Sequence, residues 1–224
     1  MGKKVSITDL YKIEKTVIIE DKDTDKEADV LLRIISDNSK EEVIRYANEK
    51  KVELANKLKD KSSVERISLE EMVVNAPINT LELKLDLLKQ QLIQNEVYLE
   101  LRLNDKYKDL MDSEIEDNEE FNKDYTELKK KRAEEYLASL DKSEDNLRRE
   151  LRDLNIKVML NSFHTHSFNE MTLAHAIRNP EDPSKRLFNS VAEMKDNIFG
   201  DTYMQLIDKY YSLRGNMSEN DVKN

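Results

Sequence analysis

The chain has 224 residues, with 37 Lys and Arg against 47 Asp and Glu, a formal net charge of -10, three Gly, three Pro and neither Cys nor Trp. So few turn formers disfavour a sandwich or barrel, whose tight reversals need residues that accept a positive or a fixed φ. The missing Cys removes disulfides, thiolate metal sites and cysteine nucleophiles, and the acidic balance opposes a phosphate backbone as partner.

Residues 5–36 differ from everything after them. Lys3 and Lys4 begin like a secretory signal, but Asp9, Lys12, Glu14 and Lys15 interrupt the apolar run that one requires. Gly2 with Ser6 matches the start of an acylation pattern, too short a match to carry that reading. Thr16-Val17-Ile18-Ile19 and Val30-Leu31-Leu32-Arg33-Ile34-Ile35 flank the polar stretch Asp21 to Glu27, which predicts a β-hairpin with a loose loop. A lone hairpin is marginal in water, so it must pack on a helix or on another chain.

Ser39 and Glu42 have capping-box spacing and predict the start of a helix with an apolar stripe at Val43, Ile44, Ala47, Leu54 and Leu58, interrupted at Lys50-Lys51. Ser62-Ser63 break the pattern. Ser68 and Glu71 repeat the capping spacing and predict a short helix ending before Pro77. From Ile78, Leu81, Leu85, Leu88, Leu92, Leu99 and Leu103 mark a long helix, and Leu83, Leu87, Ile93, Val97 and Leu101 widen its apolar arc beyond a coiled-coil seam.

Residues 105–124 carry nine acidic side chains against three lysines. This run reads as a solvated loop or helix end, or as a contact surface for a basic partner. Phe121, Tyr125 and Leu128 then lead a helix through Lys129-Lys130-Lys131-Arg132. Those four cations spread around all faces and make no phosphate-binding stripe, so no nucleic-acid partner is expected. Ser143 can cap a helix with the stripe Leu147, Leu151, Leu154 and Val158. Thr172 to Arg178 forms a short amphipathic stretch and Asn179 to Pro183 a turn. Ser190 with Glu193 caps a further helix, Gly200 separates it from the last one (Tyr203, Leu206, Ile207, Tyr210, Leu213), and Gly215 stops the chain's final helix.

The fold class read from this pattern is mainly α with a small N-terminal β element. It divides into a hairpin and helix over 1–60, a long-helix region over 61–165, a helical module over 166–215 and a disordered tail over 216–224. No stretch is long and apolar enough to span a membrane.

Catalytic chemistry has little material. His164-Thr165-His166 with Glu170 would form a facial metal site if the segment were a strand, but on a helix a two-residue step separates the rings by about 200°. P-loop, GxGxxG and GxSxG patterns are missing. Neither a cofactor nor a catalytic residue is assigned.

The order Arg178-Asn179-Pro180-Glu181-Asp182-Pro183, Lys185-Arg186-Leu187-Phe188, Ser190-Val191-Ala192-Glu193-Met194 and Leu206-Ile207-Asp208-Lys209-Tyr210 resembles the tail assembly chaperones of long-tailed bacteriophages. The small β element, Ser39-Lys40-Glu41-Glu42 and a helix bearing Arg45, Tyr46 and Ala47 resemble the N-terminal plan of those proteins. The resemblance covers the two ends of the chain and leaves the helices between Leu81 and Leu160 outside it. It implies a protein of the infected cell's cytoplasm that binds the tape measure protein, keeps its apolar helices soluble and helps tail tube subunits polymerise. Leu81, Leu85, Leu88 and Leu92 are the candidate partner-binding residues, with Phe188 and Tyr210 anchoring the C-terminal module; all six also fit an intramolecular core. A homo-oligomer is a further expectation. The alternatives are a structural or adaptor protein of a virion or other assembly, and a metal-dependent enzyme using His164, His166 and His175.

Overall fold

The computed structural model describes residues 14–21, 26–108, 110, 114–115, 117–198 and 200–215. The secretory-signal and acylation readings, the hairpin loop and the expected tail at 216–224 lie outside these residues. The elements in order are β1 (Glu14–Asp21), β2 (Lys26–Arg33), α1 (Asp37–Lys59), α2 (Val64–Val74), α3 (Ile78–Leu103), α4 (Glu119–Ser139), α5 (Glu144–Ala176), β3 (Ile177–Arg178), α6 (Val191–Asn197) and α7 (Gly200–Gly215). The protein is mainly α with a small antiparallel sheet of order β1-β2-β3. None of the described helices is long and apolar enough to cross a membrane.

Two compact units emerge, one of residues 1–50 with 164–224 and the other of residues 51–163. The expected segment 1–60 is thus divided, its residues up to 50 sharing a unit with 166–215 and residues 51–60 going with the long-helix region. A two-stranded ribbon cannot bury its apolar face alone, and here the C-terminal module covers it. Both changes of unit fall inside continuous helices, within α1 and within α5. In α1 the change coincides with Lys50-Lys51: Val43 and Ala47 are buried on one side of it, Leu54 and Leu58 on the other. Ile44, expected in the stripe, is 48% exposed.

In the first unit the register pairs Val17 with Val30, Ile19 with Ala28, and Asp21 with Lys26, so the strands run further into the polar stretch than its composition suggests. Alternation puts Val17, Ile19, Leu32 and Ile177 on one buried face. They join Leu173, Met194, Leu206 and Tyr210 in a single core. Each such side chain contributes on the order of 1.5–3 kcal/mol through removal from water. The outer edge of β1 is partly blunted by Gln205 of α7, whose side-chain carbonyl accepts from the Glu20 N–H (3.1 Å) and whose amide donates to the Glu20 C=O (2.8 Å).

The helix starts depart from the capping-box spacings. The Ser36 hydroxyl accepts from the Ser39 N–H (3.3 Å) and the Ser36 carbonyl from the Lys40 N–H (2.9 Å), so Ser36 caps α1 and Ser39 lies in its first turn. Ser63, not Ser68, caps α2, accepting from the Arg66 N–H at 3.1 Å. A hydroxyl three residues before an N–H suffices for capping; a Glu at the third position adds to the cap but does not locate it. Ser190 does cap α6, with the Glu193 N–H donating to its hydroxyl at 3.1 Å and the Glu193 carboxylate accepting from the Asn189 N–H at 2.8 Å.

The second unit has two apolar clusters. The first joins Leu54, Leu58, Leu69, Val73, Leu81, Leu85, Leu92, Leu147, Leu151 and Leu154. Arg148 ties it off by donating to the Val73, Val74 and Ala76 carbonyls (2.7, 3.0 and 3.1 Å), which satisfies acceptors left over at the end of α2. Arg152 holds Glu70 of the same helix with two 2.8 Å bonds, one to each carboxylate oxygen, and that pairing keeps the Glu70 carboxyl below the usual range. The second cluster joins Ile93, Val97, Leu101, Tyr107, Ile115 and Phe121. Three of these belong to the acidic run, which is therefore more than a solvated loop: Asp105, Glu114, Asp117, Glu119 and Glu120 are exposed while Tyr107, Ile115 and Phe121 turn inward. Tyr107 donates to Asp124 at 2.6 Å and meets the Phe121 ring edge-on at 5.1 Å.

Candidate functional site

Leu81, Leu85 and Leu92 are buried in the first cluster of the second unit, and Leu88 is partly buried against it. Phe188 and Tyr210 are buried in the core of the first unit. The structure thus places four of the six candidate partner residues in one core and two in another, and their apolar surface is covered by the chain itself.

The uncovered apolar surface lies on other faces of the same helix. At about 100° per residue, Leu81, Leu85, Leu88, Leu92, Leu99 and Leu103 share one stripe of α3, while Leu83, Leu87, Val97 and Leu101 share another roughly opposite it. Each stripe is buried over half its length only. The first is covered from Leu81 to Leu92 and then open, with Leu99 61% and Leu103 82% exposed. The second is open at Leu83 (61%) and Leu87 (59%) and buried at Val97 and Leu101. The switch occurs where α3 leaves the cluster shared with α2 and α5 and enters the one shared with Tyr107, Ile115 and Phe121. On α2, Val64, Ile67 and Val74 form a further exposed row at helical spacing. Periodicity marks both stripes but cannot say which half of each finds a partner inside the chain.

A concavity of about 410 Å³ beside α3 and α4 is lined by Lys89, Ile93, Glu96, Arg132, Glu135, Tyr136 and Ser139. Its charges already neutralise one another, since Arg132 pairs with Glu96 (3.9 Å) and with Glu100, and Lys89 sits 5.1 Å above the Tyr136 ring. Burial pushes the Tyr136 hydroxyl up to about 12, so it stays protonated at neutral pH and offers no base.

The concavity belongs to the second unit and the histidines to the first. His164 and His166 sit on α5, a continuous helix of 33 residues, which removes the strand that a facial metal site needs. The local Asn, Ser, Thr and His residues are weak helix formers, but with neither Gly nor Pro present nothing breaks the helix. His166 contacts Glu170 one turn on at 2.9 Å, and Lys195 reaches the same buried carboxylate at 2.6 Å. Among the described residues no group of three His, Asp or Glu side chains is placed to hold a metal ion.

His175, at the end of α5, is fully buried, and neither ring nitrogen makes a hydrogen bond. Its Nε2 lies 3.4 Å from the Glu42 carboxylate, which Arg186 approaches at 3.7 Å. Burial, helped by the positive charges of Arg186 and Arg178 and opposed by Glu42, pulls the imidazole down to about 4. It is therefore neutral at physiological pH. Sequence reading missed β3 and this cluster. The Asn179 to Pro183 turn was legible, but not that the chain returns through it: Leu187 N–H bonds the Ile177 carbonyl at 3.0 Å and Asn179 N–H the Lys185 carbonyl at 3.1 Å. This reversal brings Arg186 beside Arg178.

Comparison with protein-family models, with curated proteins and with solved structures yields no match.

Proposed function

We propose that the protein is an assembly chaperone that covers the apolar face of a helical client, in the manner of the tail assembly chaperones of long-tailed phages. The tape measure protein is its client and the tail tube protein a further partner, both in the cytoplasm of the infected cell. The observation that carries this reading is the pair of half-covered stripes on α3. Leu83 with Leu87, and Leu99 with Leu103, are pairs one helical turn apart that a second amphipathic helix can cover by helix-in-groove packing. An acidic exterior then limits further association of the complex.

The first unit supports the same reading from another side. The two ends of the chain that carry the resemblance, the hairpin with the start of α1 and the block from Arg178 to Tyr210, share one core. Motifs that lie far apart in the sequence thus meet in one compact unit.

Coexpression with a long helical protein encoded beside this chain tests the proposal. The soluble fraction of the client should rise, a complex should appear on size exclusion, and the chaperone should be missing from finished particles. Fixed stoichiometry in those particles would point instead to a structural component, and no complex together with no gain in solubility would reject the chaperone.

A further inference from the structure

The sheet of the first unit carries three arginines on the face opposite its apolar core. Leu31 and Arg33 are two residues apart on β2 and so share a face; Arg178 pairs with Leu31 in register, and Arg186 bridges Arg178. Val17, Ile19, Leu32 and Ile177 occupy the other, buried face. Carboxylates in the cluster are fewer. Glu14, directly across from Arg33, pairs with it. Glu42 stands at 3.7 Å from Arg186 and 3.4 Å from His175, beyond the usual range of a strong charge-assisted hydrogen bond.

The Arg178 backbone is paired within the sheet, but its guanidinium has no hydrogen-bonding or ion-pair partner among the described residues, and its Nε is buried. The Nε of Arg33 and both nitrogens of His175 are likewise buried and unbonded. An unbonded buried donor is costly, and three guanidinium groups on one small face repel each other. Burial first, then the charges of Arg33 and Arg186, act to lower the Arg178 pKa; a guanidinium nonetheless remains protonated. A further anion at this face, beside Glu14 and Glu42, would relieve both penalties.

We infer that Arg178, flanked by Arg33 and Arg186, is the receptor for an oxyanion, a carboxylate or phosphate group presented by a ligand. The planar guanidinium fork matches the two oxygens of such a group, and two neighbours on the same sheet face supply further donors. The site belongs to the first unit and is independent of the apolar faces of α3, so it stands or falls apart from the chaperone reading.

The full chain at low ionic strength, titrated separately with inorganic phosphate and with acetate, tests the site by NMR at the arginine Nε–H signals and the backbone amides of 31–33, 175–178 and 186. The expected result is saturable shifts centred on those residues, weakened about tenfold or more in Arg178→Gln and in Arg186→Gln but unchanged in the surface control Lys130→Gln. Tighter phosphate binding assigns a phosphate-bearing ligand and tighter acetate binding a carboxylate-bearing one. Should Arg178→Gln fold poorly, Arg186→Gln and the wild-type shift map carry the test. Shifts that do not saturate, that scatter over the surface, or that persist in both arginine variants would overturn the assignment.

Discussion

His175 makes the stability of the first unit depend on pH in a defined window. Its folded pKa of about 4 lies below the ordinary 6.5 because the ring is fully buried beside Arg186 and Arg178, with only Glu42 opposing. A group depressed on folding binds fewer protons in the native than in the unfolded state. Its contribution is therefore fully present above 6.5 and is lost as the pH falls towards about 4. Over the whole window a shift of this size corresponds to roughly 3 kcal/mol, and between about pH 7.5 and about pH 5 to about 2 kcal/mol. Urea unfolding followed at the Leu173 and Leu206 methyl signals reports on this unit. The wild type should lose about 2 kcal/mol more than His175→Gln over that interval, because glutamine cannot titrate while the remaining histidines are common to both proteins. Equal losses would refute the argument, as would a directly titrated His175 ring with an unshifted pKa.

Three further outcomes follow from the second unit. Leu85→Ala, at a fully buried position of α3, should cost on the order of 2–5 kcal/mol in denaturant unfolding. Ser63→Ala removes the acceptor for the Arg66 N–H and should cost about 1 kcal/mol, whereas Ser68→Ala, inside the helix, should be close to neutral. Tyr107→Phe removes a 2.6 Å hydrogen bond to Asp124, the leading cause of that carboxyl's lowered pKa. The Asp124 pKa should therefore rise in an NMR titration, and stability should fall by about 1 kcal/mol.

Much of the fold was legible because it rests on local signals. The β-branched runs gave the hairpin, steps of three and four gave α3, Ser190 with Glu193 gave the start of α6, and Gly200, at φ +60, sits where a left-handed residue is needed between α6 and α7. What escaped depended on long-range partners. β3 is two residues long and exists because β2 offers it an edge, so no periodicity announces it. The merger of both chain ends into one core follows from the need to cover Val17, Ile19 and Leu32, and nothing local states what covers them. The acidic run hid a small core because its charge outweighs Tyr107, Ile115 and Phe121 in composition, although those three make the contacts. For the candidate site, the apolar stripe was readable but its occupancy was not. Leu81 and Leu99 stand at the same angle of one helix, and only the packing of α2 and α5 against the first half distinguishes them.

The chaperone reading turns on whether the open halves of the α3 stripes hold a client. The direct measurement compares the soluble fraction of a coexpressed tape measure protein with the wild-type chain and with a variant carrying Leu83→Lys, Leu87→Lys, Leu99→Lys and Leu103→Lys. All four positions are exposed, so the variant should unfold within about 1 kcal/mol of wild type. The account predicts that the wild type raises client solubility several-fold and the variant does not. A correctly folded variant that solubilises the client as well as the wild type would contradict it.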